Sequence, residues 1–282
     1  MSSTSLTGGL TLNRPERARD VRVLIRGAGE LASAIAHRLY RAGLQVAMTE
    51  LEHPLAIRRN VSFCECIHDG TRVVEGVTAR KVESAGEFDT TIAAGEIPVT
   101  VDPLLSSISE WSPHVLLDAA IAKRNLGTTR EMAPLVVGYG PGFTAGEDVD
   151  IVIETNRGHD LGRLILNGAA APDTGIPGVI AGESARRVIH SPETGILLPS
   201  VSIGDMVKEG DLLAMVGESE VLATLTGVVR GLIRPGSKVK KGLKIADVDP
   251  RGIVSYCDTI SEKGRSLGGS ALEAILGWVN EA

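Results

Sequence analysis

The chain has 282 residues, 43% apolar and 23% charged, with a formal net charge of −6. That length can bury the cores of two domains or so, and the acidic balance argues against a nucleic-acid-binding surface as the main business. No apolar run approaches the ~18–20 residues that would span a bilayer.

Aromatic residues make up 3% and glycines number 33, a balance that favours backbone-lined sites over base-stacking platforms. Residues 1–20 are polar and lack the apolar segment and cleavage pattern of a secretion signal, so they read as a disordered tail. Three cysteines, Cys64, Cys66 and Cys257, imply no disulfide framework and fit a reducing cytoplasm.

Val21 to Ile25 reads as a strand running into Gly27-Ala28-Gly29-Glu30-Leu31-Ala32. This is the G-x-G-x-x-G/A pattern between strand and helix, in which glycines let the backbone approach a pyrophosphate. Leu31, Ile35 and Leu39 share one helical face, and Gly43 supplies the stop. The next strand, Leu44 to Thr49, ends at Glu50, where an acid would meet a ribose hydroxyl. Arg26, Gly27, Gly29, Glu30 and Glu50 are therefore candidate cofactor residues. A tight strand–helix crossover would use the same glycines, and Arg26 or Arg58-Arg59 could serve a phosphate instead.

Cys64-Glu65-Cys66 could ligate a soft metal or handle a chalcogen, or could be two buried small apolar residues. Short strands are expected at 71–74, 77–81, 97–101 and 115–117. A helix is expected from Ser84 to Ala94, capped by Ser84 and Glu87. This alternation argues for a parallel sheet. Asp102 and Asp118 stand at strand ends, as site residues or helix caps. Lys123, Arg124 and Asn125 could bind phosphate or carboxylate.

The most informative stretch begins at Gly138. Leu135 to Val137 lead into a loop with glycines at 138, 140, 142 and 146, and Val149 to Ile153 lead into a polar cluster. Amides of such a loop can hold an anion, which makes Gly140, Gly142 and Gly146 candidate cofactor contacts. Glu154, Asn156, Arg157, His159 and Asp160 follow a strand end, where α/β proteins place ligands. They are the candidate catalytic residues, with Glu154 and His159 as general base or metal ligands.

From residue 188 the texture changes to short β segments. Gly204, Val207, Lys208, Gly210, Ala214 and Val216 recur at an offset of 32 as Gly236, Val239, Lys240, Gly242, Ala246 and Val248, the mark of a duplicated unit. The segment resembles the two halves of a biotinyl/lipoyl-type barrel-sandwich module, but Gly217 to Leu232 contains no Lys to carry a swinging arm. Asp247-Val248-Asp249-Pro250-Arg251 could return to the glycine-loop site or form a surface ion pair. A last helix is expected, with a stripe from Ala271 to Val279 and a cap at Ser270 and Glu273.

The fold class is thus α/β: a Rossmann-like nucleotide-binding domain (21–125), a glycine-rich central segment (126–187), a barrel-sandwich β module (188–250) and a helical C-terminal segment (251–282). Over nearly the whole length from Val21, the sequence resembles the YqeB family of selenium-dependent molybdenum hydroxylase system proteins. The blocks that carry this are Arg26 to Gly29, Ala56 to Arg59, Asp118-Ala119 with Lys123 to Asn125, Gly140 to Gly146, Glu154 to Arg163, Thr174 to Gly178 and Asp247 to Arg251. Asp173 replaces an expected Asn and Glu262 an expected Asp.

The resemblance implies an accessory role in maturing hydroxylases that carry a labile selenium, with a hydroxylase apoprotein or other maturation factors as partners. The ligand would be a small molecule, NAD(P) or a molybdopterin-type nucleotide. The family supplies no reaction and no metal ligands, and its pattern lacks Cys64 and Cys66. An NAD(P)-dependent oxidoreductase of a small metabolite is the alternative, and a non-catalytic scaffold the third. A homo-oligomer is compatible with the sequence.

Overall fold

The computed structural model describes residue 15 and residues 17–280. Most of the stretch read as a disordered tail therefore lies outside the described residues; Ala18–Asp20 form one 3-10 turn.

The strands of the first part are β1 (Arg22–Arg26), β2 (Gln45–Glu50), β3 (Thr71–Val74), β4 (Val77–Val82), β5 (Ile97–Val101), β6 (Val115–Asp118), β7 (Leu135–Tyr139), β8 (Thr144–Ala145), β9 (Ile151–Ile153), β10 (Leu164–Ile165) and β11 (Gly168–Ala169). Nine of them form one sheet in the order β10-β9-β7-β6-β1-β2-β5-β4-β3, and β8 pairs with β11 separately. All neighbours in the large sheet are parallel except the edge pairs β9–β10 and β3–β4. The strand order reverses between β1 and β6, so the carboxyl ends of these strands open a crevice.

The helices are α1 (Glu30–Arg41), α2 (Cys66–Asp69), α3 (Phe88–Ala93), α4 (Ser107–Trp111) and α5 (Glu262–Asn280). Alternation along β1 sets the layers. Val23 and Ile25 pack with Ile35 and Leu39 of α1 and Leu267 and Ile275 of α5. Leu24 faces the other layer with Phe88, Trp111 and Leu116. Gly43 follows the end of α1 with a φ of +87°, the expected stop.

Two expectations about helices are corrected. The 84–94 segment is a 3-10 turn followed by α3, and Ser84 makes no side-chain cap. Glu87 instead reaches the amide of Glu83 at 2.9 Å. Helix α5 starts at Glu262, so Ser270 is not a cap but a mid-helix residue whose hydroxyl donates to the carbonyl of Gly162 at 2.6 Å. Long-range packing against the 161–163 turn, invisible to a local pattern, extends the helix upstream.

Beyond residue 187 come β12 (Val188–His190), β13 (Gly195–Pro199), β14 (Met206–Val207), β15 (Leu212–Val216), β16 (Ser219–Leu222), β17 (Gly227–Leu232), β18 (Lys238–Val239) and β19 (Lys244–Asp249). They form two antiparallel sheets, β12-β19-β17-β14 and β16-β15-β13-β18. Strands β13, β14 and β15 recur 32 residues later as β17, β18 and β19. Exchanging the two halves turns one sheet order into the other, so the duplication seen in the sequence is a structural repeat. Val207, Leu213, Val216, Val229, Val239 and Val248 fill its own core.

The module docks on the segment after β2. The amide of Leu232 donates to the carbonyl of Ile57 at 2.8 Å. Arg59 Nε donates to the carbonyl of Leu232 at 2.7 Å. Arg234 pairs with Glu65 at 2.9 Å and Asp69 at 2.7 Å.

Candidate functional site

Two cavities meet at the carboxyl edge of the large sheet. The first, about 440 Å³, is lined by the glycine turn and by Glu50, Cys64, Asp102 and Leu126. The second, about 900 Å³, lies between the sheet, the 171–180 loop and the β module. Glu30, Leu31, Leu55 and Ile121 line both, so the cavities share a wall. Ile121 holds a φ of +54°, a left-handed conformation costly for a β-branched residue and one that gathers at functional sites.

In the first cavity Gly27 has a φ of +95°, and a Cβ there would lie 3.2 Å from the Ala120 backbone, whereas Gly29 faces open space. Glycine is therefore required at 27 by the turn, and at 29 it leaves room for a ligand. Glu50, at the end of β2, turns its carboxylate to the glycine turn, where it accepts the amides of Ala28 at 2.8 Å and Leu51 at 2.7 Å. Burial pushes this carboxyl above its ordinary value, against the two amide bonds.

Other sequence candidates hold the fold. Arg26 is tied to Asp118 at 3.3 Å, Thr128 at 3.1 Å and the carbonyl of Pro103 at 3.1 Å. Asp102 accepts the amides of Ser106 at 2.9 Å and Ser107 at 2.8 Å, and so anchors the start of α4. Asn125 Oδ1 accepts the amides of Gly127 and Thr128, both at 2.8 Å, fixing its own turn. Lys123 pairs with Asp173 at 2.7 Å at the rim of the large cavity, and the Arg124 side chain is exposed.

The glycine loop is a packing device here rather than an anion cradle. Gly138 belongs to β7. A Cβ on Gly140 would lie 2.5 Å from Thr155 Oγ1, and one on Gly142 would lie 2.5 Å from Arg124 Cα. The amides of Gly140 and Gly146 are spent on the carbonyls of Ile153 at 2.9 Å and Val149 at 2.8 Å. Of this loop only Pro141 reaches the large cavity.

The polar cluster that follows is split by the fold. Glu154 is buried, accepting the amides of Asn156 and Ala171, each at 2.7 Å. Its carboxylate ties two chain segments together, outside the large cavity. Asn156 and Arg157 line that cavity. His159 and Asp160 are exposed in a shallow depression with Leu161 to Arg163, and share no residue with it. The five residues fall within seven positions of the sequence, but the 158–163 turn carries the last two away from the large cavity; Asp160 meets Glu154 only in the lining of a separate cavity of about 370 Å³.

What the large cavity gathers is positive charge from distant parts of the chain. Arg58 pairs with Glu30 at 2.6 Å and donates to the carbonyls of Tyr256 at 2.6 Å and Thr259 at 2.9 Å. Arg157 pairs with Glu262, and Arg187 with Asp247. Arg230, Lys244 and Lys263 also line it, with Lys123 at the rim. Arg58, weighed as a phosphate ligand, Lys123 and Arg157 were candidates in the sequence; Arg187 ends a 3-10 turn, and Arg230, Lys244 and Lys263 lie within ordinary strands or a helix, where no local pattern marks them. Asp247 does reach this cavity, from β19, but it meets Arg187 and not the glycine loop.

Carboxylates in and near the cavity respond to neighbouring cations. Burial would raise Glu30, but the Arg58 guanidinium and the Ser261 hydroxyl hold it below the ordinary 4.5. For Asp249 burial likewise opposes, and the Arg251 hydrogen bonds prevail to hold it below 3.8. A carboxyl lowered on folding stabilises the protein above its unfolded value, and that contribution is lost as pH falls through the folded one. The melting temperature should therefore fall steeply below pH ~4.5, as thermal melts from neutral to acid pH would show. A flat profile would mean these pairs contribute nothing.

Cys64 and Cys66 are buried free thiols. Burial pushes Cys64 well above its ordinary value and Cys66 up to about 12, which suits packing and opposes thiolate chemistry. Among the described residues no group of three or more His, Cys, Asp or Glu side chains could hold a metal ion. Nor is any described helix long and apolar enough to cross a membrane.

These features define a mixed α/β protein: a large, mostly parallel sheet, additional antiparallel sheets, and a cationic cavity where the two parts meet. The chain is 48% identical over 269 residues, 95% of its length, to a protein described as "Uncharacterized protein YqeB" from Escherichia coli strain K12. It spans about half the length of that relative, 50%. No family model matches the chain. Among solved structures it is similar to the ectoine utilization protein EutE (DoeB) of Ruegeria pomeroyi, at 12% identity and a TM-score of 0.25 over 81% of this chain and 86% of that one. An aspartoacylase family protein of Mesorhizobium loti gives 14% identity and a TM-score of 0.27 over 81% and 85%. Scores this low carry no argument about fold or activity.

Proposed function

We propose that the chain binds a nucleotide-type or molybdopterin-type cofactor and acts in the cytoplasm as an accessory factor in maturing selenium-dependent molybdenum hydroxylases. The observation that carries the binding part is the shared wall. A mostly apolar crevice with a glycine turn and Glu50 opens beside a cavity rich in Arg and Lys. A ligand with a ring-bearing end and an anionic end suits that pair of environments. The maturation context comes from the family resemblance, with a hydroxylase apoprotein or other maturation factors as partners.

The order β5-β2-β1-β6-β7-β9 supports reading the large sheet as Rossmann-type, with the β3–β4 hairpin added at one side. The duplicated module is read as a barrel-sandwich in which the carrier lysine is missing and which serves as a wall of the site. The residues present fit an anionic cofactor: the cavity is cationic, and Arg230 Nε is buried without a hydrogen bond. Within such a complex Glu50 would meet a sugar hydroxyl and Gly29 would admit the backbone to the ligand. The buried thiols do not fit selenium transfer, since both are held protonated.

An NAD(P)-dependent oxidoreductase is the second reading, favoured by the position of Glu50 beside the turn. Mass spectrometry of small molecules released from native protein, with selenium and metal analysis, separates the two. A released pterin or other non-nicotinamide nucleotide is the expected result. NAD(P) would move the oxidoreductase forward, and protein that is empty and binds no added nucleotide would sink both.

A further inference from the structure

Arg230 sits in a bulge of β17. Val229 pairs with Val248 and Gly231 with Asp247, which leaves Arg230 without a cross-strand partner. A bulge of this kind re-aims a side chain, and here the residue lines the large cavity at only 5% exposure. Among the described residues its Nε has no hydrogen-bond partner. Its one ion-pair partner is Asp249, at 3.7 Å, too far for a hydrogen bond. Asp249 is already satisfied by Arg251, through Nε at 2.9 Å and Nη2 at 2.6 Å. Glu30 and Asp247 also act on the Arg230 charge, but Glu30 is hydrogen-bonded to Arg58 and Asp247 to Arg187. The guanidinium is thus a buried charge with no carboxylate of its own, a costly arrangement unless a counter-charge arrives.

Two ammonium groups face the same space. Lys244 of β19 and Lys263 of α5 line the cavity, and neither has an ion pair or side-chain hydrogen bond among the described residues. Burial lowers both amines, against the pull of Asp247 on Lys244 and with the repulsion of Arg157 on Lys263. By contrast Arg58, Arg157 and Arg187 each have a carboxylate. The uncommitted cations therefore number three, more than one carboxylate would match. A planar donor fork with two point-charge donors suits the oxygens of a phosphoryl chain.

We propose that Arg230, Lys244 and Lys263 form a phosphoryl-binding subsite for a ligand bearing a diphosphate group, with the β module supplying two of its three cations. The module then completes the ligand site where a carrier module would swing away from it. This deepens the cofactor reading and rests on it only for what the ligand carries beyond its phosphoryl groups.

The test is calorimetric titration of the full chain with inorganic pyrophosphate, citrate and ADP, for wild type and Arg230→Met. Pyrophosphate should bind wild type more tightly than citrate does, and Arg230→Met should weaken it about tenfold or more. Without ligand, Arg230→Met should melt no lower than wild type, because Asp249 keeps Arg251. Should that variant not fold, the Lys244→Met/Lys263→Met double variant carries the test, with the same loss expected. Pyrophosphate binding that is absent, matched by citrate, or unchanged in the variants overturns the subsite. Pyrophosphate binding as tight as that of ADP leaves the subsite standing and removes the nucleotide from the cofactor reading.

Discussion

Replacing Arg58 by alanine should lower the melting temperature by roughly 10 °C. The side chain is 4% exposed and joins three parts of the chain: Glu30 at the start of α1, and the carbonyls of Tyr256 and Thr259 before α5. Removing one partner of a buried, hydrogen-bonded pair costs about 3–5 kcal/mol, and because Glu30 is 29% exposed and also feels the Arg230 charge, the lower end applies. Glu30 would keep only the Ser261 hydroxyl, at 3.2 Å. Arg58→Lys should recover the charge but not the three-way contact, since one ammonium cannot reproduce the guanidinium fork. Thermal melts of both variants near neutral pH check this, and an alanine variant within a degree or two of wild type would remove Arg58 from its structural role.

Gly142→Ala is expected to be the most damaging single change in the glycine loop. The residue holds a φ of +109°, and its Cβ would lie 2.5 Å from Arg124 Cα and 2.7 Å from Arg124 N. The left-handed conformation costs an L residue about 1–2 kcal/mol. Overpacking adds about 1–3 kcal/mol, and here the obstacle is backbone, which cannot rotate aside. Gly146→Ala is the comparison: its φ is +90° and it meets nothing within 4 Å, so only the conformational cost applies. Chemical denaturation of the two variants should place Gly142→Ala well below Gly146→Ala. Equal losses would show that the Arg124 contact is unimportant.

These two residues also show where a local reading succeeds and where it misleads. Gly142 was singled out because glycine loops hold anions, but it is glycine because the 123–125 loop crosses above it. Arg58 was weighed as a phosphate ligand and does line the large cavity, yet both its terminal nitrogens are committed to Glu30 and two carbonyls. His159 and Asp160 follow Arg157 by two and three residues, and the positive φ of Gly158 and Gly162 turns that segment so that they face solvent.

The sequence by itself determined the features that depend on near neighbours. Apolar runs of β-branched residues made β1, β2, β5, β6 and β7 legible, because strands buried on both faces need nothing else. The Gly27–Gly29 turn and Glu50 were legible because one strand–turn–helix–strand unit fixes their spacing. The 32-residue offset of the β module was legible because a duplicated unit repeats its turns. Only the tertiary structure decided the composition of the large cavity. Apart from Lys123 at the rim, its cations come from residues 58, 157, 187, 230, 244 and 263, set side by side by the docking of the β module and of α5. No local pattern marks such residues, for their proximity is created by burial of apolar surface far along the chain, and their charge has meaning only once they share one enclosed space.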